Sequence, residues 1–202
     1  MPEPTIRPAG LQDLLVVEPA PIHDERGFFV RTMSAENLRA AGIDPAAVVV
    51  ENQSRSRHRT LRGLHFRREL REHKIVRCAR GEVFAVVVDL RPWSTTFGRW
   101  EHSGLDDRDH RQLIVPPGCA LGFQVLSDWA DICYKHDAAY APELDGALIW
   151  NDPDLAIPWP LAEPILSARD RKAPTLSEIR PLLPIWFGDR PPLPASAPRE
   201  AG

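Results

Sequence analysis

Short runs of β-branched and aromatic residues recur along the chain, each bounded by turn-forming residues, and this pattern predicts strands. The runs are Leu14–Val17, Phe28–Thr32, Val48–Glu51, Leu61–Phe66, Lys74–Arg80, Val83–Asp89, Trp100–Ser103, Gln112–Val115, Gly122–Leu126, Ala130–Tyr134 and Ala147–Trp150. Gly81-Glu82 reads as a tight hairpin connection between two of them, and Pro116-Pro117-Gly118 as a turn. Only one early helix is predicted: Ser34 as N-cap, then Ala35–Ala41, with Gly42 as the stop. A second short helical piece is expected near Ser177. Many short strands and few helices predict an all-β domain, a sandwich or a closed barrel, of which the jelly roll is one form.

The chain has 202 residues, which suits one domain, and 43 % of them are apolar, enough to fill a core. The body is expected to span residues 1–180. Residues 181–202 form a Pro-rich extension, whose Leu182, Leu183, Ile185 and Trp186 are expected to dock while the part after Asp189 stays loose. A formal net charge of -3 argues against nucleic acid or an anionic membrane as partner. The longest apolar run, Val83 to Val88, is far too short for a membrane-spanning helix. Met1 to Leu11 has no apolar stretch of a secretory signal. Three cysteines without CxxC spacing, Cys78, Cys119 and Cys133, are no disulfide framework. These features point to a cytoplasmic protein.

The densest chemistry lies in Leu61-Arg62-Gly63-Leu64-His65-Phe66. Strand alternation puts Arg62, Leu64 and Phe66 on one face and Leu61, Gly63 and His65 on the other. A bulge at Gly63 would turn Arg62 and His65 into one cavity. Read alone, His65 is a satisfied histidine and Arg62 a surface cation. Asn151-Asp152-Pro153 is turn chemistry behind an apolar anchor, Trp150.

Further motifs follow in order. Upstream stand Asp24-Glu25-Arg26-Gly27-Phe28-Phe29 and Glu51-Asn52-Gln53-Ser54. Downstream come Lys74-Ile75-Val76-Arg77, Arg80-Gly81-Glu82-Val83-Phe84, Pro116-Pro117-Gly118, Gly122-Phe123, Tyr134-Lys135, Tyr140-Ala141-Pro142-Glu143 and Leu166-Ser167-Ala168-Arg169-Asp170. This ordered set, from about Leu14 to about Glu178, resembles the dTDP-4-dehydrorhamnose 3,5-epimerase family. The resemblance implies a cupin-like double-stranded β-helix, a jelly-roll barrel with a few short peripheral helices. It also implies a homodimer, a sugar-nucleotide substrate, and no metal or organic cofactor. His65-Phe66-Arg67 agrees on the metal, because a metal-binding cupin would offer a second histidine where Arg67 stands, and a protonated guanidinium is a poor ligand.

The implied reaction moves protons at the carbons flanking a C4 ketone. It needs a base, an acid on the opposite sugar face and a cation near the developing oxyanion. By resemblance, His65 is the base, Asp170 the carboxylate that orients it, and Tyr134 the acid. Lys74 and Arg62 are the cations near carbonyl and diphosphate. Arg26 contacts the nucleotide, Asn52 lines the pocket, and Arg169 joins the substrate contacts. Taken singly, Tyr134 suits a core, Asp170 a helix cap, Lys74 a solvated strand end and Arg26 a turn.

Three positions depart from the family pattern. Leu121 replaces a pocket histidine and cannot donate a hydrogen bond. Arg31 replaces a glutamate, reversing a charge near the nucleotide and offering a phosphate contact. Val50 replaces a glutamine. The reacting groups persist while recognition groups change, which predicts an active epimerase of altered scope, acting at one carbon or on another sugar nucleotide. A ketoisomerase, a non-catalytic sugar-nucleotide-binding cupin and a metal-dependent dioxygenase are the alternatives.

Overall fold

Two antiparallel sheets face each other in the computed structural model, which describes residues 2–189. The first contains β1 (Thr5–Pro8), β2 (Leu15–Glu18), β5 (Val50–Arg57), β7 (Lys74–Arg80), β10 (Gln112–Val115) and β12 (Trp129–His136). Its spatial order is β1-β2-β10-β7-β12-β5. The second contains β6 (Leu61–Arg67), β8 (Glu82–Asp89), β9 (Trp100–Asp106), β11 (Cys119–Val125) and β13 (Asp145–Ala147), ordered β13-β6-β11-β8-β9. A separate hairpin is built from β3 (Ile22–Asp24) and β4 (Gly27–Phe29). This is the expected all-β, cupin-like jelly roll.

Alternation along the strands sorts the apolar residues into layers. Val83, Ala85 and Val87 of β8 join Leu113, Val76 and Ile132 in the barrel interior. Val86 and Val88 point the other way, onto Leu148, Leu183 and Phe187. Both faces of β8 are therefore covered, which explains its unbroken apolar run. On the outer face of the first sheet, Val17, Ile75 and Ile114 pack beneath Leu38 of helix α1 (Ala35–Ala40). Ser34 caps α1 as predicted, its hydroxyl accepting from the Asn37 N–H at 3.2 Å.

The C-terminal segment adds α2 (Ala168–Arg171), α3 (Leu176–Ile179) and α4 (Leu183–Phe187). A Thr175–Glu178 capping box starts α3. Leu183 and Phe187 are buried and Trp186 packs on Phe66, so this part of the extension is docked on the barrel. Leu182 and Ile185, also expected to dock, face solvent. The expected loose tail lies outside the described residues.

Two readings of the sequence need correction. Gly81 is no hairpin turn, because β7 and β8 lie in different sheets. It is a corner where the chain changes sheets, with φ +81°, and a Cβ there would stand 2.1 Å from the Trp129 carbonyl oxygen. The other is β5, which runs well beyond Glu51, to Arg57. It is an edge strand, exposed along most of its length, so its polar second half carries no apolar signal. Strands β1 and β3 were likewise silent in the hydrophobic pattern.

Candidate active site

The inward face of β12 reads Ala130, Ile132, Tyr134, His136. The first two belong to the core, Tyr134 packs against it, and Tyr134 and His136 line a cavity. The neighbouring strands change in step. Register pairs Tyr134 with Val76 of β7 and Asn52 of β5, and His136 with Lys74. Inward positions thus pass from apolar to polar at one end of the barrel. The cavity there measures about 300 Å³ and is closed from the second sheet by Arg62, His65, Leu121 and Phe123.

A bulge puts Arg62 and His65 on the same wall. His65 faces Leu121 and Arg62 faces Phe123, so Gly122 alone opposes Gly63 and Leu64. Leu64 and Phe66 turn outward into the layer beneath the C-terminal helices. Position 63 takes only glycine: its φ is +118°, and a Cβ would stand 2.6 Å from the Gly122 Cα.

Asp170 reaches His65 from a segment tied along β6, where the Leu61 N–H donates to the Ile165 carbonyl at 3.0 Å. Ser167, not Asp170, caps α2; its hydroxyl accepts from the Asp170 N–H at 3.0 Å. The Asp170 carboxylate is thereby free to accept from His65 Nε2 at 2.6 Å. Burial pushes the Asp170 carboxyl up, but the hydrogen bond and charge of His65, with Ser167 and the Gly63 N–H, outweigh it and hold the group below its ordinary value. The His65 side chain is 40 % exposed and that of Asp170 3 %. A buried anion thus orients an imidazole that remains open to the cavity.

The Tyr134 hydroxyl lies 3.3 Å from Ser54 Oγ. Burial raises its pKa to about 12, against the opposing pull of Ser54 and the Arg62 charge. Arg62 Nε donates to Ser56 Oγ at 2.9 Å. Lys74 Nζ lies 3.1 Å from Glu72 Oε2. A second chamber of about 210 Å³ shares Asn52, His65, Lys74 and His136 with the first and adds Val50, Tyr140, Asp145 and Arg169. Arg169 lies 3.6 Å from Asp145.

The structure therefore gathers His65, Asp170, Tyr134, Lys74, Arg62, Asn52, Leu121 and Arg169 around one cleft. Two candidates stay outside it. Arg26, at the tip of the β3–β4 hairpin, is paired with Asp24 and its side chain is 85 % exposed. Arg31 is paired with Glu3 and lines neither chamber. Within one chain Arg31 makes no contribution to a phosphate contact in the cleft. Sequence reasoning missed Ser54, Ser56, Glu72 and His136. Alternation from Tyr134 would have placed His136 on the same wall. Glu72 sits outside any strand and left no such signal. At position 67, where a metal-binding cupin would carry histidine, the guanidinium lies 2.6 Å from Glu69.

His65 with its Asp170 partner and the Tyr134 phenol face one cavity that Lys74 and Arg62 also line, a set of acid–base and cationic groups suited to proton transfer. The sequence profile of the dTDP-4-dehydrorhamnose 3,5-epimerase family matches residues 8–178. The chain is 42 % identical over 171 residues to the dTDP-4-dehydrorhamnose 3,5-epimerase of Salmonella typhimurium, covering 84 % of this chain and 93 % of the relative. NovW, a 4-keto-6-deoxy sugar epimerase from the novobiocin cluster of Streptomyces spheroides, superposes with a TM-score of 0.85 at 35 % identity, covering 95 % of this chain and 94 % of NovW. The Legionella pneumophila dTDP-6-deoxy-D-glucose-3,5-epimerase, solved with dTDP-4-keto-L-rhamnose, gives 0.84 at 38 % identity, covering 96 % and 100 %. This chain belongs to the dTDP-4-dehydrorhamnose 3,5-epimerase family.

Proposed function

We propose that the chain epimerises a nucleotide-linked 4-keto-6-deoxy sugar in deoxysugar biosynthesis, with His65 as base and Tyr134 as acid. The 2.6 Å contact of His65 with Asp170, facing the same cavity as Tyr134, carries this reading. Asp170 occupies Nε2 and leaves Nδ1 to take the proton from the carbon beside the ketone. The electron pair moves onto the carbonyl oxygen as an enolate, and Lys74 balances the charge. Tyr134 then donates its proton to the opposite face of that carbon, which inverts it. Solvent returns a proton to the phenolate and removes one from the imidazolium. The ketone supplies the acidity, so the scheme calls for no metal or organic cofactor; activity should withstand EDTA.

Leu121 supports narrower scope. It faces His65 across the bulge and lines the reacting chamber with an apolar surface, which favours inversion at a single carbon or a different sugar. Incubation with dTDP-4-keto-6-deoxyglucose in heavy water, followed by NMR, tests both points. Deuterium at C3 and C5 would refute the one-carbon version, and no deuterium would refute activity on this sugar.

We also infer a cytoplasmic homodimer. The β3–β4 hairpin exposes Phe28, Phe29 and Ile22 beside Arg26, an apolar face suited to a second copy. Packed on that copy, it would carry Arg26 toward the neighbouring cleft. The three cysteines are buried and unpaired, in keeping with a reducing compartment. Among the described residues, no helix is long and apolar enough to cross a membrane.

A further inference from the structure

The chemistry above leaves His136 without a role. His136 lines both chambers, with Asn52, His65 and Lys74, and so stands at their seam. Its Nδ1 lies 3.2 Å from Glu72 Oε1. Its ring stacks on Tyr134, centroids 6.4 Å apart and planes 24° apart. Both partners are well covered, with side-chain exposures of 15 % for His136 and 10 % for Glu72. The other Glu72 oxygen meets Lys74. Burial pushes the Glu72 carboxyl up, yet the His136 hydrogen bond and the Lys74 charge outweigh it and bring it to about 2. One carboxylate thus meets three side chains, those of His136, Lys74 and Arg67.

A sugar nucleotide with its keto sugar in the chamber of His65 and Tyr134 and its nucleoside in the chamber of Arg169 and Tyr140 would set its diphosphate where the two meet. Counting Glu72 against Lys74 leaves no net charge at the seam, and an imidazolium at 136 makes it positive. Of the other ionic groups nearby, Arg62 bonds Ser56 and can meet an anion in the first chamber; the rest are paired. Arg67 lies 2.6 Å from Glu69 and 3.5 Å from Glu72 Oε1, His65 bonds Asp170, Arg169 faces Asp145, and Lys135 on the outer face pairs with Glu51.

We propose that His136 is a phosphate-binding residue, held through Nδ1 by Glu72 and presenting Nε2–H to the diphosphate of the sugar nucleotide. The proposal rests on the epimerase reading of the cleft. It also restores an imidazole to a cavity that has leucine at 121, on the opposite sheet.

Calorimetric binding of dTDP-glucose, which lacks the ketone and does not turn over, tests this without relying on catalysis. His136→Gln should weaken dTDP-glucose roughly 10- to 100-fold at mildly acidic pH, as for a lost charge-assisted hydrogen bond, and leave thymidine unchanged. Equal weakening of thymidine, or unchanged affinity in His136→Gln, would overturn the proposal. If the folded wild-type protein binds no dTDP-glucose, the epimerase reading fails with it; binding that ignores residue 136 removes this proposal alone.

Discussion

The two ends of the barrel are made by the same strands and the same inward parity, yet they do opposite things. At one end Ala130, Ile132, Cys78 and Val83 close into dry core. At the other, Tyr134, His136, Lys74 and Asn52 occupy equivalent inward positions and leave a cavity. Strand alternation delivers side chains to the interior without regard to their chemistry. The site is where inward side chains are too polar to pack against each other and are held by partners instead. Asp170, Ser54, Ser56 and Glu72 supply those partners.

This contrast predicts separable losses. His65→Ala should cut solvent-deuterium exchange into the sugar by about 10²–10⁴-fold, the range for a general base, while thermal unfolding moves little. Exchange at the wild-type rate would remove His65 from the mechanism. Ile132→Ala, at the packed end, should do the reverse. It should cost about 2–5 kcal/mol in urea unfolding and keep the turnover of each folded molecule. A matching fall in turnover would mean that the two ends are coupled.

Glu72 joins the two properties. Its folded pKa is about 2 against an ordinary 4.5. The stability it contributes, on the order of 3 kcal/mol, is complete above the unfolded value and disappears as pH falls through the folded one. Melting temperature followed into acid should therefore decline less steeply in Glu72→Gln than in wild type. Parallel curves would refute this.

Tyr134 makes a sharper demand on the open end. Burial lifts its pKa to about 12, so the alkaline limb of the rate profile should lie near there, well above the ordinary tyrosine value of about 10. A decline near 10 would assign that limb to another group. The smallest effect is expected for Leu121→His. It should change the ratio of C3 to C5 exchange less than tenfold, on the scale of one hydrogen bond, with folding intact. An unchanged ratio would show that Leu121 does not set scope.

Much of this molecule was legible in one dimension. Alternating apolar runs located most strands, because turn chemistry and period-2 patterning are written between near neighbours; His65, Tyr134 and Asp170 were singled out by the family resemblance that the ordered motifs carry. The bulge at Gly63 was foreseeable for the same reason: two residues sharing a cavity from opposite strand faces require one. Gly81 was not, since the same short turn serves a hairpin or a change of sheet, and only the distant partners of β7 and β8 decide which. Nor could sequence seat Glu72 against His136, 64 positions away, or show Arg26 and Arg31 pointing away from the cleft. Alternation is set by the local geometry of the backbone, whereas strand pairing and ion pairing depend on which remote segments the closed barrel brings within a few ångströms.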